Sequence, residues 1–182
     1  MKKSLIVLLT MLAVPHGIYA EALYGLELAP SSMREKHLDH FMNLFRDQCF
    51  GQESQDAATQ KVVNGRRFRP AKDFEGVYEE YFEGLSYAVS PNSDVCTVDV
   101  LLEYQSGKLL LSLEAVQKAI KKNTSYRLVN TLDKVEEGPN SESVQTIESH
   151  FKRDVKSTNA VVLTYPTSNQ DVFYMTLSYH YE

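Results

Sequence analysis

The chain has 182 residues, and its 19 lysines and arginines against 24 aspartates and glutamates give a formal net charge of −5 at pH 7. This acidic balance argues against a nucleic-acid-binding role, because such proteins contact phosphates with clusters of positive charge. The length fits one globular domain, and 43% hydrophobic residues is ordinary for a domain of that kind.

The N-terminus has the three-part pattern of a secretory signal peptide. Lys2 and Lys3 form a basic start, residues 5–14 form an apolar run, and small residues follow it. As a helix the run is only about 15 Å long, half the thickness of the hydrocarbon core of a bilayer. It therefore predicts export and not a membrane span, and no later stretch is long or apolar enough to be one.

The small residues offer two cleavage points. We predict cleavage after Ala20, with Ala22 as the alternative end, and a single domain over residues 21–182. Loss of residues 1–20 leaves 17 basic against 24 acidic residues, a net charge of −7. The expected location is the periplasm of a Gram-negative bacterium, or the medium outside the cell.

The first strong element of the exported chain is a helix. Ser32 and Glu35 form a capping box, and the helical pattern runs to about Gln48 before Gly51. Cys49 lies at the end of its apolar stripe and is expected to face the core. The stripe consists of Met33, Leu38, Phe41, Met42, Leu44, Phe45 and Cys49.

Two histidines on this helix, His37 and His40, are spaced i and i+3 and so occupy neighbouring positions. A zinc site needs three or four ligands, and no local pattern brings a third one close. His37 also falls inside the apolar arc, where a hydrogen-bonded core histidine is the commoner role. The pair is a weak metal candidate, and we predict neither a metal site nor a cofactor.

A weaker helix is predicted over residues 54–63, and a basic stretch follows it. The stretch interleaves arginines with Phe68 and Pro70, a composition found in solvated loops and also in surfaces that bind acidic partners. We interpret it as the candidate partner-binding segment, with Arg66, Arg67, Phe68 and Arg69 as its contact residues.

Residues 74–83 show apolar positions three and four apart, which predicts a third helix. Its apolar side chains are Phe74, Val77, Tyr78, Tyr81 and Phe82. The glutamates Glu75, Glu79, Glu80 and Glu83 then take the solvent side, where pairing with the nearby arginines is an alternative to simple solvation.

The second half of the chain predicts a sheet with one inserted helix. Residues 85–89 and 95–104 flank a turn cluster, which indicates a hairpin in which Cys96 faces the core. Ser112 caps a short helix that ends at Asn123. Further strands are predicted at 126–135, 160–165 and 172–181, while 143–155 fits a helix or a strand and is interpreted as a strand.

The chain contains two cysteines, Cys49 and Cys96. In an oxidising compartment such a pair predicts one disulfide, here between the first helix and the sheet. Two buried free thiols are the alternative. A redox-active pair is disfavoured, because there is no C-x-x-C motif.

No catalytic motif emerges from the sequence. Residues 84–88 share glycine and Ser86 with a nucleophile elbow, but that motif needs a strand before the serine and a helix after it, and Ser86 lies within a predicted strand. The C-terminal strand is aromatic on both faces, which is favourable for contact with a partner.

The arrangement of a helix ending in Cys49, a strand containing Cys96 and Val98, and terminal strands near residues 161–164 and 175–178 resembles a family of short exported bacterial proteins of unknown function. The resemblance extends over most of the exported chain. It implies no activity and no functional residue.

Together these features predict an α+β domain with an antiparallel sheet of five or six strands, covered on one face by the Ser32 and Ser112 helices. The expected role is a non-catalytic binding protein, such as an inhibitor, an immunity-type protein or an envelope accessory factor, whose partner is another envelope or secreted protein. The alternative is a small envelope hydrolase that uses His37 or His40 with carboxylates.

Overall fold

The fold is that of a computed structural model, which describes residues 31–65, 67–101, 111–137, 143–167 and 174–181. The predicted signal peptide and both of its possible ends lie outside the described residues, as does Arg66. The predicted export of the chain therefore stays a prediction.

Three α-helices are described, and two of them start at a serine cap. The Oγ atoms of Ser54 and Ser112 accept hydrogen bonds from the backbone N–H groups of Ala57 and Ala115, which confirms the cap predicted at Ser112. The cap predicted at Ser32 is wrong, because Ser32 lies inside the first helix, which includes Ser31. The first helix ends in a π-helical segment, Phe45–Cys49, which the sequence pattern does not predict. The helices are α1 (Ser31–Leu44), α2 (Gln55–Asn64) and α3 (Leu113–Thr124).

The strands form one antiparallel sheet, in the order β1-β2-β3-β4-β8-β7-β6-β5. The α+β architecture is thus confirmed, but the predicted number of five or six strands is wrong, because the described residues alone form a sheet of eight strands. The strands are β1 (Arg69–Pro70), β2 (Tyr78–Phe82), β3 (Leu85–Pro91), β4 (Val95–Leu101), β5 (Arg127–Glu137), β6 (Ser143–Lys152), β7 (Ala160–Pro166) and β8 (Tyr174–His180).

The prediction of a helix over residues 74–83 is wrong, because its second half is strand β2. Tyr78 and Phe82 are four residues apart, a spacing that places them on one face of a helix and equally on one face of a strand. Gly76, with φ of +76°, and the turn at Glu83 and Gly84, with φ of 45° and 90°, leave room only for a short extended segment. The segment 143–155, predicted as a strand, is confirmed as one over β6.

The helices pack on one face of the sheet, and the core lies between them. Along β4, Cys96, Val98 and Val100 are fully buried and alternate with half-buried residues, as predicted. Phe41 and Phe45 bring the aromatic part of the helix layer into this core. Burial of each such side chain stabilises the fold by about 1.5–3 kcal/mol.

The predicted disulfide between Cys49 and Cys96 is present, with the two Cα atoms 5.2 Å apart. Both cysteines are fully buried, so the bridge joins the end of the helix layer to the middle of the sheet. None of the helices in the described ranges has the length and apolar character that a membrane span requires.

Candidate functional site

Helix α1 brings its two histidines onto the inner face of β2 and β3, where they have different environments. His37 is buried, and its Nδ1 atom lies 2.8 Å from the hydroxyl of Tyr87 in a hydrogen bond. Burial is the main cause that lowers the pKa of His37, and the nearby Glu83 opposes it. His37 is therefore a neutral, hydrogen-bonded core residue.

His40 lies one turn further along and reaches the rim of the core. Its ring stacks on Phe82, with centroids 3.9 Å apart and an angle of 8° between the planes, and meets Tyr87 edge-on at 4.8 Å. Its Nε2 atom is in direct contact with a carboxylate oxygen of Glu80. Nε2 is buried and its one polar neighbour in the described residues is this carboxylate, which acts on the imidazole by its charge and by hydrogen bonding.

The protonation of His40 depends on opposing effects. Burial lowers the pKa of His40 and is the largest effect, the carboxylate of Glu80 raises it, and the charge of Arg67 lowers it further. The net pKa is below the ordinary value of 6.5, so the imidazole is neutral at pH 7. A neutral imidazole beside a carboxylate can accept a proton or a hydrogen bond.

Glu80 links His40 to the basic segment. One oxygen of its carboxylate contacts His40, and the other lies 3.8 Å from Nε of Arg67. Glu80 is largely buried, whereas the side chain of Arg67 is 57% exposed. The guanidinium group of Arg67 thus lies near a buried carboxylate and exposes hydrogen-bond donors to solvent.

These side chains line a cleft of about 560 Å³ at the edge of the sheet where β1 pairs with β2. The lining combines two arginines, two glutamates, a histidine, a hydroxyl group and two aromatic rings. The cleft residues are His40, Arg67, Arg69, Glu79, Glu80, Tyr81, Phe82 and Ser86.

The predicted partner-binding segment contributes to this cleft in part. Arg67 and Arg69 line it, while Phe68 is half-buried and packs against the core. Phe68 is therefore a packing residue here, and Arg66 lies outside the described residues. The suggested pairing of the glutamates with the arginines is observed for Glu80 with Arg67.

The sequence patterns assigned four of the cleft residues to no site: Glu79, Glu80, Tyr81 and Phe82. The predicted helix placed Glu80 on a solvent face, but in a strand successive side chains alternate, and Glu80 faces inward between Tyr78 and Phe82. The Glu83-Gly84 turn was the sequence signal for a strand here. A hairpin with β3 needs an extended segment before that turn.

The weak metal candidates, His37 and His40, are not joined by further ligands. In the described part of the chain, no group of three or more histidine, cysteine, aspartate or glutamate residues could hold a metal ion. Nδ1 of His37 is already used by Tyr87. Both histidine rings instead pack against Phe82, an aromatic ring that lines the cleft.

No model of a known protein family matches the sequence, and comparisons with curated proteins and with solved structures found no significant match. The resemblance to short exported bacterial proteins therefore stays a prediction, and the function has to be inferred from the cleft itself.

Proposed function

We propose that the chain is an exported, non-catalytic binding protein that takes up an acidic segment of another envelope or secreted protein in the cleft at the β1–β2 edge of the sheet. The observation that carries this proposal is that Arg67 and Arg69 share one cleft with the exposed ring of Tyr81. Inhibitors, immunity-type proteins and envelope accessory factors all act by such recognition.

Arg67 supports this proposal through its position. Guanidinium groups bind carboxylates in a two-pronged geometry that lysine cannot reproduce. The contact of Arg67 with Glu80 is long, with Nε 3.8 Å from the carboxylate, and the exposed guanidinium group keeps donors for a partner carboxylate. Arg69 is exposed on the same edge and adds a second positive charge.

The exposure of Tyr81 also supports the proposed binding function. Its side chain is 76% exposed, which is unusual for a large ring on a strand. Tyrosine and arginine are the residues most enriched among those that dominate binding energies at protein interfaces. An aromatic ring beside two arginines therefore favours a partner that combines an acidic group with apolar surface.

His40, Glu80 and Phe82 form the base of this site. The ring of Phe82 fixes the plane of His40 by stacking, and His40 and Arg67 flank the carboxylate of Glu80 from two sides. At 3.8 Å the Glu80–Arg67 contact is a long ion pair of an exposed arginine, which keeps the positive charge of Arg67 near the cleft.

An exported location agrees with the signal-peptide pattern of the sequence and with the Cys49–Cys96 disulfide, because disulfides form and persist in oxidising compartments. The periplasm is the compartment that we propose, and the partner is accordingly expected among envelope and secreted proteins.

The test is recovery of the tagged protein from crosslinked cells, followed by mass spectrometry of what comes with it. We expect a partner that is lost in the variant Arg67→Ala/Arg69→Ala, with an affinity reduced about tenfold or more. The matched control is Arg46→Ala, which removes a half-exposed arginine that is paired with Asp47 and does not line the cleft. Equal recovery with both variants at low salt would contradict the proposal.

A small hydrolase is the second candidate, and one contact favours it. The carboxylate of Glu80 beside the imidazole of His40 is an arrangement that can support a general base, and Ser86 lines the same cleft. Hydrolysis of ester or amide substrates that disappears in His40→Gln and persists in Arg46→Ala would favour this candidate over the binding protein.

A further inference from the structure

His40 is the titratable imidazole that lines the cleft at the β1–β2 edge of the sheet. Its ring stacks on Phe82, with the centroids 3.9 Å apart, and its Nε2 atom contacts one oxygen of the Glu80 carboxylate. The other oxygen of that carboxylate lies 3.8 Å from Nε of Arg67. One carboxylate is thus shared between a permanent positive charge and a group that gains a positive charge on protonation.

The charges that line the cleft cancel while His40 is neutral. Arg67 and Arg69 supply two positive charges, and Glu79 and Glu80 supply two negative charges. Protonation of His40 therefore gives the cleft lining a net positive charge. A cleft with a net positive charge attracts an acidic ligand more strongly than a cleft whose charges cancel.

Other titratable groups surround the ring of His40. On the same helix Lys36 contacts Glu83, and this hydrogen bond lowers the pKa of Glu83. Tyr87 meets the ring edge-on from β3, and burial raises the pKa of its hydroxyl. His37 is a second imidazole, which is bonded to Tyr87 and does not line the cleft. A test therefore has to separate His40 from His37.

The contacts of His40 couple its protonation to the binding of an anion. Burial lowers the pKa of His40 most, Glu80 raises it, and the charge of Arg67 lowers it further. A partner carboxylate that pairs with Arg67 compensates this positive charge, and so raises the pKa of His40. Binding then favours proton uptake, and by reciprocity proton uptake favours binding by the same factor.

We propose that His40 makes this cleft a pH-sensitive binding site, which holds an acidic partner more tightly as the pH falls from about 7.5 to about 5.5. The inference rests on the proposed binding function and adds a regulation to it: acid strengthens the complex, and a return to neutral pH weakens it. The carboxylates of the partner stay charged in this range, because their ordinary pKa is about 4.

The test follows the histidine ring signals of the purified full chain by NMR, with the peptide Glu-Tyr-Glu, capped at both ends, as the probe. The signal of His40 is identified by its absence in His40→Gln. We expect saturation with the peptide to raise the pKa of His40, and the affinity to increase about three- to tenfold from pH 7.5 to pH 5.5. The neutral peptide Gln-Tyr-Gln should leave the pKa of His40 unchanged.

Three variants show which group is responsible. His40→Gln cannot titrate, so its affinity for the peptide should not depend on pH in this range. Glu80→Gln removes the carboxylate that raises the pKa of His40, so the increase in affinity should move to lower pH. His150→Gln is the matched control and should keep the wild-type dependence, because it removes a histidine that contacts Glu148 and does not line the cleft.

The outcomes separate this inference from the proposed function. A wild-type chain that binds Glu-Tyr-Glu equally at both pH values, or less tightly at pH 5.5, would overturn the inference and leave the proposed function standing. So would an increase in affinity that persists in His40→Gln, since another group such as His37 would then cause it. Absence of peptide binding at both pH values would contradict the proposed function itself, and the inference with it.

Discussion

At the scale of single residues, the two histidines of α1 show how burial divides neighbouring positions into different roles. His37 points into the core and bonds to Tyr87, which is 50 residues away in the chain. His40 reaches the rim, where Phe82 and Glu80 meet it. The helical pattern correctly placed His37 in the apolar arc, but no local pattern could supply partners from strands whose position depends on the whole sheet.

His37 should make the stability of the protein depend on pH. Burial lowers its pKa in the folded state, while in the unfolded chain the imidazole titrates near its ordinary value of 6.5. The unfolded state therefore takes up the proton first as the pH falls. The stabilisation from neutral His37 is complete above about pH 6.5 and decreases below it.

This prediction is checked by denaturant unfolding between pH 7.5 and pH 5. The free energy of unfolding is expected to fall less steeply with pH in His37→Asn, which cannot titrate, than in the wild type. Tyr87→Phe is the control, because it removes the hydrogen bond and keeps the buried imidazole, and should retain the wild-type pH dependence. Identical pH dependence in His37→Asn and the wild type would show that His37 is not the titrating group.

At the scale of elements, serine residues and strict alternation indicated the correct helices and strands, whereas apolar spacing alone did not. Ser54 and Ser112 marked the starts of α2 and α3, because a serine cap is a local hydrogen bond that the sequence specifies directly. Strand β4 was predicted from strict alternation. Strand β2 was mistaken for a helix, since Tyr78 and Phe82 share a face in either structure and only pairing with β3 selects the strand.

The disulfide is the covalent link between the helix layer and the sheet, and its contribution to stability can be measured. It closes a loop of 47 residues, which in the chain-entropy account stabilises the fold by about 4 kcal/mol. We expect the variant Cys49→Ala/Cys96→Ala to lose about that much free energy of unfolding in a denaturant titration.

Reduction of the wild-type chain is the matched control for this variant, and should lower its stability by a similar amount. Both cysteines are fully buried, and alanine removes only the sulfur atom at each position, so the change in packing volume is small. A loss below about 1 kcal/mol would contradict the assignment of the bridge as a major constraint on the unfolded chain.

At the scale of the whole molecule, the architecture followed from the sequence and the strand order did not. An antiparallel sheet with helices on one face is what the predicted elements allow. The central pairing joins β4 to β8, where Asp99 and Thr176 are hydrogen-bonded across 77 residues. Pairings of this range are decided by the packing of all elements together, and no pattern within one segment encodes them.

The same limit applies to the cleft. The arginines of the basic segment could be identified as candidates from composition, because clustered positive charge is a local property. Their placement beside His40 and Glu80 required that β1 and β2 form the edge of the sheet beneath α1. Arg67 and Arg69 of the predicted contact segment thus share one cleft with His40, one of the two predicted histidine candidates. The sequence presented them as separate features.

If the protein meets its partner in this cleft, site-specific photo-crosslinking in cells will capture the partner there. A photoreactive phenylalanine analogue replaces either Tyr81, in the cleft, or Tyr174, a 48% exposed tyrosine on β8 that does not line it. We predict an adduct with another protein from position 81 that is absent in the Arg67→Ala/Arg69→Ala background, and no such adduct from position 174. Equal adducts from both positions, or an adduct at position 81 that is indifferent to the arginines, would contradict binding of the partner in this cleft.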